Sequence, residues 1–320
     1  MKLNKLMLAT MRTLTKAEPS VKKNYKAARK FSDSHYSKLN LYLKKANYKF
    51  LDREITVDGH SVPVRMFYPK KQLSPELILF FHGGGWVTGT IDSYSEICEY
   101  MSDVFGRRIL SVDYRRAPEN PFPAAIDDCY GVTKEIYDTA ATFGITGDDI
   151  ILMGDSAGGN LAAVVSLKAR DTGDMEIRRQ ILLYPLTYND HTEASPFPSV
   201  HENGTDYLLT SQQVQEYMEL YVPNEADRQD PYVAPLLEKD LSFSPKTLVI
   251  TAEFDPLRDE GEEYARRLLD SGNYVELFRI ADTVHGFMNP AMPDNDCQIA
   301  CGIMLSFISR TENKRLKSTK

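Results

Sequence analysis

Short apolar segments rich in β-branched and aromatic residues recur along most of the chain. They are residues 48–57, 62–68, 77–82, 107–114, 149–153, 180–184, 246–252 and 274–280. This pattern predicts eight strands. The first two are joined at Asp58-Gly59, a dipeptide that is typical of a tight hairpin turn.

From the third predicted strand onward, strands alternate with segments of helical periodicity. The helical segments are residues 92–105, 121–142, 157–170, 259–271 and 295–309. Such alternation is typical of parallel strands connected by crossover helices. We therefore predict an α/β fold whose eight-stranded, mostly parallel sheet is flanked by helices.

The alternation stops between Pro185 and Pro245, where the only regular pattern is a helix near 210–221. An insertion after a parallel strand lies at the carboxyl edge of the sheet, where open α/β sheets bind ligands. We predict a helical cap that comprises this insertion, residues 186–240, and an amino-terminal helical segment, residues 1–45. Residues 46–185 and 241–320 then form the core. The alternative is a surface excursion without a role.

The composition is that of an ordinary globular protein, with 320 residues, 42% hydrophobic and 26% charged. The longest apolar run, Leu77–Phe81, is far too short to span a membrane. Four cysteines without a CxxC pair or a Cys/His cluster predict neither a disulfide framework nor a zinc site. Because Asn4 and Lys5 interrupt the apolar start of the chain, we predict a cytoplasmic protein without a signal peptide.

Charge is distributed unevenly, with +11 in residues 1–50 and −18 in the remainder. A basic arm can bind nucleic acid or an anionic membrane surface. Here the basic residues are dispersed among aromatic and apolar ones, so we expect helices that fold over the acidic body. We predict no nucleic-acid partner and no stable membrane insertion. The last strand, 274–280, is expected at a sheet edge, and its pairing into a homodimer is a hypothesis.

The most informative motif is Gly154-Asp155-Ser156-Ala157-Gly158, which follows a buried strand and opens a helix. A G-x-S-x-G sequence in this context is typical of a nucleophilic serine on a strained turn, with glycines where side chains would collide. A glycine-rich turn can also hold a phosphate, but the sequence fits neither the P-loop nor the dinucleotide pattern. Ser156 is therefore the predicted nucleophile.

A second motif, His82-Gly83-Gly84-Gly85-Trp86, directly follows the third predicted strand. Acyl transfer creates an oxyanion that preorganised backbone N–H groups stabilise. We predict that Gly83, Gly84 and Ala157 donate these hydrogen bonds. A flexible hinge is the alternative. His82 is expected to hold the loop by hydrogen bonding.

A serine nucleophile requires a base and an orienting acid. Among six histidines, His285 alone follows the last strand pattern. Asp255, just past the preceding strand and 30 residues earlier, is the predicted acid, with Glu253 and Asp259 as less suitable neighbours. The order serine, acid, histidine is that of α/β-hydrolases.

Other histidines and aromatics have weaker predictions. His191 and His201, in the insertion, are expected to be solvated or to line the pocket, and His35 and His60 are poorly placed for catalysis. Candidate substrate-pocket residues are Trp86, Asp155, Tyr188 and Tyr207. Each of the three aromatic residues is equally consistent with an ordinary core or surface position. Asp155 is expected to fix the serine turn in place.

Together the motifs resemble those of the hormone-sensitive-lipase-like branch of the α/β-hydrolases, which includes the bacterial family IV esterases. The matching segments are Val62–Arg65, His82–Trp86, Asp113–Glu119, Phe122–Asp128, Gly154–Asn160, Asp255–Asp259 and His285–Phe287. The chief departure is Arg116, where the family usually has an apolar residue. The resemblance implies hydrolysis of carboxylic esters, mostly with short acyl chains, without a metal or organic cofactor.

We therefore predict a carboxylesterase with a Ser-His-Asp triad and an acyl-enzyme intermediate, acting on small acetyl to hexanoyl esters. An amidase or deacetylase using the same triad is the main alternative, because the fold cannot separate these. A non-catalytic binding protein on the same scaffold, a serine peptidase and a membrane-associated lipase are weaker alternatives.

Overall fold

The computed structural model describes residues 12, 13, 15, 20–30, 50–288 and 295–316. Most of the predicted amino-terminal helical segment, including His35, lies outside these residues. Within it, residues 25–30 are helical. The predicted first strand is described from Phe50 onward.

Eight strands form one sheet. They are β1 (Phe50–Val57), β2 (His60–Phe67), β3 (Leu77–Phe81), β4 (Arg108–Val112), β5 (Ile150–Asp155), β6 (Arg179–Leu183), β7 (Lys246–Phe254) and β8 (Val275–Val284). Their order is β1-β2-β4-β3-β5-β6-β7-β8. β2 is antiparallel to both of its neighbours, and all other pairs are parallel. The predicted eight-stranded, mostly parallel sheet is confirmed.

Seven α-helices follow in the described part of the chain. They are α1 (Ser95–Phe105), α2 (Ala124–Asp138), α3 (Ala157–Thr172), α4 (Pro198–Glu202), α5 (Ser211–Tyr221), α6 (Arg258–Asp270) and α7 (Asn295–Leu316). Each helix predicted from residue 92 onward has a counterpart, and α4 is an addition. No helix in the described ranges is long and apolar enough to cross a membrane.

Alternation along the central strand β3 assigns the helices to two layers. Leu77, Leu79 and Phe81 pack in one apolar cluster with residues of α2, α3 and α6. Ile78 and Phe80 pack in a second cluster with α1 and α7. Successive side chains of a strand point to opposite faces, so a sheet covered on both sides requires strands that are apolar throughout.

The insertion, residues 186–240, leaves the carboxyl end of β6 and carries α4 and α5. Its attachment to the core is specific. Ser199 in α4 donates its hydroxyl to the carbonyl of Pro256 at 2.8 Å and its N–H to Asp259 at 2.8 Å. α4 is thereby fixed to the loop that follows β7 and to the first turn of α6, beside the carboxyl ends of the parallel strands.

Candidate active site

Ser156 stands at a sharp turn between β5 and α3, with φ 54° and ψ −120°. A positive φ is strained for a residue with a side chain. The flanking glycines explain how the turn is possible, since a Cβ at Gly154 would lie 2.1 Å from the Gly158 carbonyl oxygen, and one at Gly158 would lie 1.9 Å from that of Phe81. Both oxygens belong to the backbone and cannot move far enough to make room for a Cβ, so only glycine fits at positions 154 and 158.

A continuous chain of hydrogen bonds runs from Ser156 to a buried carboxylate. The Ser156 hydroxyl lies 2.8 Å from Nε2 of His285, whose Nδ1 lies 2.7 Å from Oδ2 of Asp255. A carboxylate only accepts hydrogen bonds, so Nδ1 carries the proton and Nε2 is free to accept from the serine. The structure thus brings the three predicted residues together.

The Asp255 side chain is fully buried, and its second oxygen accepts the N–H of Leu257 at 2.9 Å. The Asn203 amide, just after α4, donates to the Asp255 carbonyl at 3.2 Å. The Tyr184 ring packs against the His285 ring at a centroid distance of 4.9 Å and an interplanar angle of 63°. These contacts hold the histidine and the acid in one orientation.

The two alternative acids have other partners. Glu253 accepts the N–H of Asp282 at 2.7 Å, and Asp282 has a strained φ of 59° in the segment that leads to His285. Asp259 accepts the N–H of Ser199 and pairs with Arg258. Glu253 therefore supports the histidine loop, and Asp259 fastens the insertion.

In the glycine loop, residues 83–89, the N–H groups that face the cavity differ from the predicted set of oxyanion donors in one residue. Gly83 donates its N–H to Oδ1 of Asp155 at 2.7 Å, so this N–H is not available to a substrate. The amides of Gly84, Gly85 and Ala157 have no acceptor among the described residues, and all three residues line the cavity above Ser156. The donor set that the geometry favours is Gly84, Gly85 and Ala157 in place of Gly83, Gly84 and Ala157.

The glycine loop takes its shape from contacts that exclude side chains. Gly84 has φ 114°, and a Cβ there would lie 2.4 Å from the Thr88 carbonyl oxygen. Gly85 has φ 59°, and a Cβ there would lie 2.3 Å from the ring of Tyr217 in α5. The N–H of Thr88 closes the turn on the Gly84 carbonyl at 2.8 Å.

Asp155 joins the serine turn to the glycine loop, as its position beside the nucleophile led us to expect. Besides the Gly83 N–H, it accepts the hydroxyl of Tyr94 at 3.0 Å. Burial raises the pKa of Asp155 to about 6, although these hydrogen bonds favour the charged form. Asp155 also lines the cavity.

His82 is fully buried and stacks on Tyr114 at a centroid distance of 4.3 Å. Its Nδ1 donates to the Gly83 carbonyl at 2.8 Å, which agrees with the expected role in holding the loop. Burial lowers the pKa of His82 to about 4, so the ring is neutral near pH 7 and serves as a rigid support.

A cavity of about 230 Å³ lies over Ser156 and His285. Its walls come from the core loops and from the insertion, which contributes Leu186, Leu208, Leu209, Gln213, Val214 and Tyr217. Three of these residues, Gln213, Val214 and Tyr217, belong to α5 and could have been found from the helical periodicity of that segment. Their contact with the glycine loop depends on the tertiary fold.

The three aromatic side chains predicted as pocket walls lie elsewhere. Trp86 is fully buried behind the glycine loop and stacks on Tyr221 at 4.3 Å. Tyr188 packs edge-on against Phe197, and Tyr207 stacks on Phe254. Aromatic residues near a motif are as readily used for packing as for ligand contact.

The remaining described histidines are not part of the cavity wall. His191, expected to be solvated or pocket-lining, is buried and donates through Nε2 to Glu260 at 2.7 Å, and together with His201 it lines a second cavity beside α5. His60 is 2.6 Å from the buried carboxylate of Asp128, and His201 contacts the Ser195 carbonyl at 3.0 Å.

Arg116, the departure from the family pattern, donates Nη1 to the Gly89 carbonyl at 2.6 Å. It therefore holds the end of the glycine loop and is not a packing defect. Across the described residues, no group of three or more His, Cys, Asp or Glu side chains is placed to hold a metal ion.

Known proteins resemble this chain in sequence and in fold. A family model described as alpha/beta hydrolase fold matches residues 78–289. The arylesterase of Saccharolobus solfataricus is 35% identical over 258 residues, which are 80% of this chain and 83% of that protein. The ethyl acetate hydrolase of Pseudomonas putida is 35% identical over 237 residues, 73% of each chain. A solved hyperthermophilic esterase from Pyrobaculum calidifontis superposes with a TM-score of 0.86 at 30% identity, covering 97% of this chain and 99% of that one.

Proposed function

The chain belongs to the alpha/beta hydrolase fold family, in the hormone-sensitive-lipase-like branch of serine carboxylic ester hydrolases, and from this we propose that it hydrolyses short-chain esters through Ser156, His285 and Asp255. The observation that carries the proposal is the unbroken hydrogen-bond chain of these three side chains beneath a cavity. Such a chain can move a proton from the serine as its oxygen attacks.

In the first step, Nε2 of His285 takes the proton of the Ser156 hydroxyl as its oxygen bonds to the ester carbonyl carbon. The carbonyl oxygen becomes an oxyanion, which the N–H groups of Gly84, Gly85 and Ala157 stabilise. Removing one such donor typically slows a hydrolase by about 100-fold to 1,000-fold. The tetrahedral intermediate then collapses, and the alcohol leaves with the proton from His285.

In the second step, His285 takes a proton from a water molecule that attacks the acyl-enzyme. The same donors stabilise the second oxyanion. As this intermediate collapses, His285 returns the proton to the Ser156 oxygen, which breaks its bond to the acyl carbon and releases the carboxylic acid. Asp255 keeps Nδ1 protonated throughout and stabilises the imidazolium that forms in each step. No metal or organic cofactor takes part in this mechanism.

The size of the cavity supports a preference for small substrates. Its volume of about 230 Å³ lies below the roughly 300–1,000 Å³ that is usual for drug-sized ligands. Leu208, Leu209 and Tyr217 from the insertion are among the side chains that line it. We therefore propose acyl groups from acetyl to about hexanoyl.

The test is turnover of p-nitrophenyl esters from acetyl to palmitoyl, together with an anilide of the preferred acyl group. We expect turnover of the short esters, and a loss of at least about 1,000-fold in Ser156→Ala. Ser61→Ala, in the exposed hairpin strand β2, is the control and should keep full activity. Faster cleavage of the anilide would favour an amidase, and folded protein without any turnover would favour a ligand-binding protein.

We propose, in addition, a homodimer formed through β8. This strand ends the sheet and pairs only with β7 in the described structure, and Leu277 and Phe278 on it are 42% and 37% exposed. A second copy related by a two-fold axis would cover both the edge and these side chains. Light scattering that finds only monomer at micromolar concentration would exclude it.

A cytoplasmic location is the last part of the proposal. All four cysteines are buried and none of them forms a disulfide, as is usual in a reducing compartment. Fractionation of the native cells with antibody detection would test it, and recovery outside the cytoplasm would contradict it.

A further inference from the structure

The outer side of the glycine loop is held by a side chain from the amino-terminal part of the chain. Arg29 belongs to the helical residues 25–30, and its side chain is 19% exposed. Its Nε donates to the Val87 carbonyl at 2.7 Å, and its Nη2 donates to the Ala117 carbonyl at 2.7 Å. These carbonyls are 58 and 88 residues away along the sequence, so the contact depends wholly on the tertiary fold.

The guanidinium group is itself fixed in position. Glu119 accepts two hydrogen bonds from Nη1 and Nη2 at 2.8 and 2.7 Å, and the ring of Tyr25 lies 4.9 Å from the guanidinium carbon. The bonds to Arg29 lower the pKa of Glu119 to about 2, so the pair remains ionised at neutral pH. The planar guanidinium group of an arginine can donate to several acceptors at once in a fixed geometry, whereas the ammonium group of a lysine cannot.

The two carbonyls that Arg29 binds belong to segments that are already joined. The N–H of Ala117 donates to the Trp86 carbonyl at 2.9 Å, and the N–H groups of Val87 and Thr88 close on the Gly84 carbonyl. Arg29 therefore completes a hydrogen-bonded unit whose inner members, Gly84 and Gly85, line the cavity.

The same segment also reaches the insertion. The Ser20 hydroxyl donates to Glu216 in α5 at 2.8 Å, and the ammonium group of Lys22 pairs with Glu219 in the same helix. α5 carries Tyr217, against which Gly85 packs. Residues 20–30 thus contact both of the elements between which Gly85 is held.

On the basis of the proposed esterase function, we propose that Arg29 is a positioning residue that keeps Gly84 and Gly85 oriented toward the oxyanion. Hydrogen bonds to the oxyanion form fully only in the transition state. Loss of Arg29 should therefore lower kcat and leave KM nearly unchanged. Misplacement of catalytic groups by about 1 Å can cost on the order of 100-fold, so we expect a decrease of about 10-fold to 100-fold.

Trp86 allows the loop to be observed without substrate, because it is the only tryptophan of the chain and lies in the loop itself. In Arg29→Met we expect a red shift of its emission and stronger quenching by acrylamide, together with the decrease in kcat. Arg29→Lys, which keeps the charge without the planar fork, should lie between Arg29→Met and the wild type. Lys30→Met, an exposed neighbour in the same helix, is the matched control and should behave as the wild type.

Unchanged kcat in Arg29→Met, or a lowered kcat with unchanged Trp86 emission and quenching, would overturn the proposal. A raised KM with normal kcat would assign Arg29 to substrate entry and would overturn it as well. If Arg29→Met does not fold, Arg29→Lys provides the same comparison. A wild type without ester turnover would contradict the proposed function, whereas the Trp86 comparison would still test the contact between Arg29 and the loop.

Discussion

At the scale of single residues, Asp155 makes an energetically costly contribution to the site. Its fully buried carboxylate connects the serine turn to the glycine loop through the N–H of Gly83. A buried charge is tolerated only when hydrogen bonds compensate its lost hydration. The raised pKa of Asp155 indicates that this compensation is incomplete, so the site is organised at the expense of stability.

The first prediction concerns the pH dependence of this cost. The ordinary pKa of an aspartate is 3.8, and that of Asp155 in the folded protein is about 6. The folded state therefore binds this proton more tightly than the unfolded chain. As the pH rises from about 4 to about 6, ionisation of Asp155 progressively lowers the free energy of unfolding. Above that range the free energy of unfolding stays lowered by the full amount.

We expect Asp155→Asn to gain stability relative to the wild type between pH 4 and 6, by on the order of 3 kcal/mol, with a constant difference at higher pH. Urea unfolding at several pH values measures this difference. The same comparison with Asp138→Asn, an exposed carboxylate in α2, should show a much smaller change. A difference for Asp155→Asn that is flat from pH 4 to 6 would contradict the assignment.

At the scale of elements, α5 has a separate role on each of its faces. Val214 and Tyr217 line the cavity, Met218 and Tyr221 enter the core, and Glu216 and Glu219 contact residues 20–22. Its Thr210 cap accepts the N–H of Gln213 at 3.1 Å, which fixes where the helix begins. The position of this one helix therefore determines how much space is left above Ser156.

The second prediction follows from the contact of Tyr217 with Gly85. Tyr217→Ala removes an aromatic ring from the cavity wall, so longer acyl chains should fit. We expect the ratio of kcat/KM for octanoyl over acetyl p-nitrophenyl esters to rise by at least about 10-fold, since each methylene in an apolar pocket contributes about 1–3 kcal/mol. Gln212→Ala, on the exposed face of α5, should leave the chain-length profile unchanged. An unchanged profile in Tyr217→Ala would show that this ring does not limit the substrate.

At the scale of the whole molecule, the two ends of the sheet have different tasks. The carboxyl ends of the parallel strands carry Ser156, Asp255 and His285. Near the amino ends, buried Glu76 pairs with Arg107, at 2.7 Å, and with Arg179. This cluster joins β3, β4 and β6 at the end of the sheet that faces away from the cavity.

The third prediction tests whether the cluster of Glu76, Arg107 and Arg179 contributes to stability without affecting catalysis at the other end of the sheet. Glu76→Gln leaves two buried guanidinium groups without their anion, and breaking a buried ion pair in this way typically costs about 3–5 kcal/mol. We expect that loss in urea unfolding, with kcat and KM of the folded enzyme within about twofold of the wild type. Glu225→Gln, which is exposed, controls for the change of charge. A large change in kcat at full folding would show that the two ends of the sheet are coupled.

Much of this architecture is encoded in local sequence signals. Strand and helix positions follow from the periodicity of apolar residues, and the agreement extends to the helix at 211–221 within the insertion. The turn at Ser156 is encoded by the glycines on either side of it, because a strained backbone permits little else there. His285 could be selected among the histidines because it follows the last strand, and parallel strands bring their carboxyl ends to one edge.

Only the tertiary structure decided those features of the site in which the two interacting residues are far apart in sequence. The N–H of Gly83 is occupied because it donates to Asp155, 72 residues away, and nothing in the local sequence distinguishes Gly83 from Gly84 and Gly85. Trp86 faces Tyr221 and not the cavity because the insertion folds back over the loop. The contact of Arg29 with the glycine loop has no local signal at all. The sequence by itself therefore determined the elements and the residues proposed as the triad, because these depend on near neighbours. The proposed oxyanion donors, the cavity walls and the contacts that support them depend on which distant segments the fold packs together.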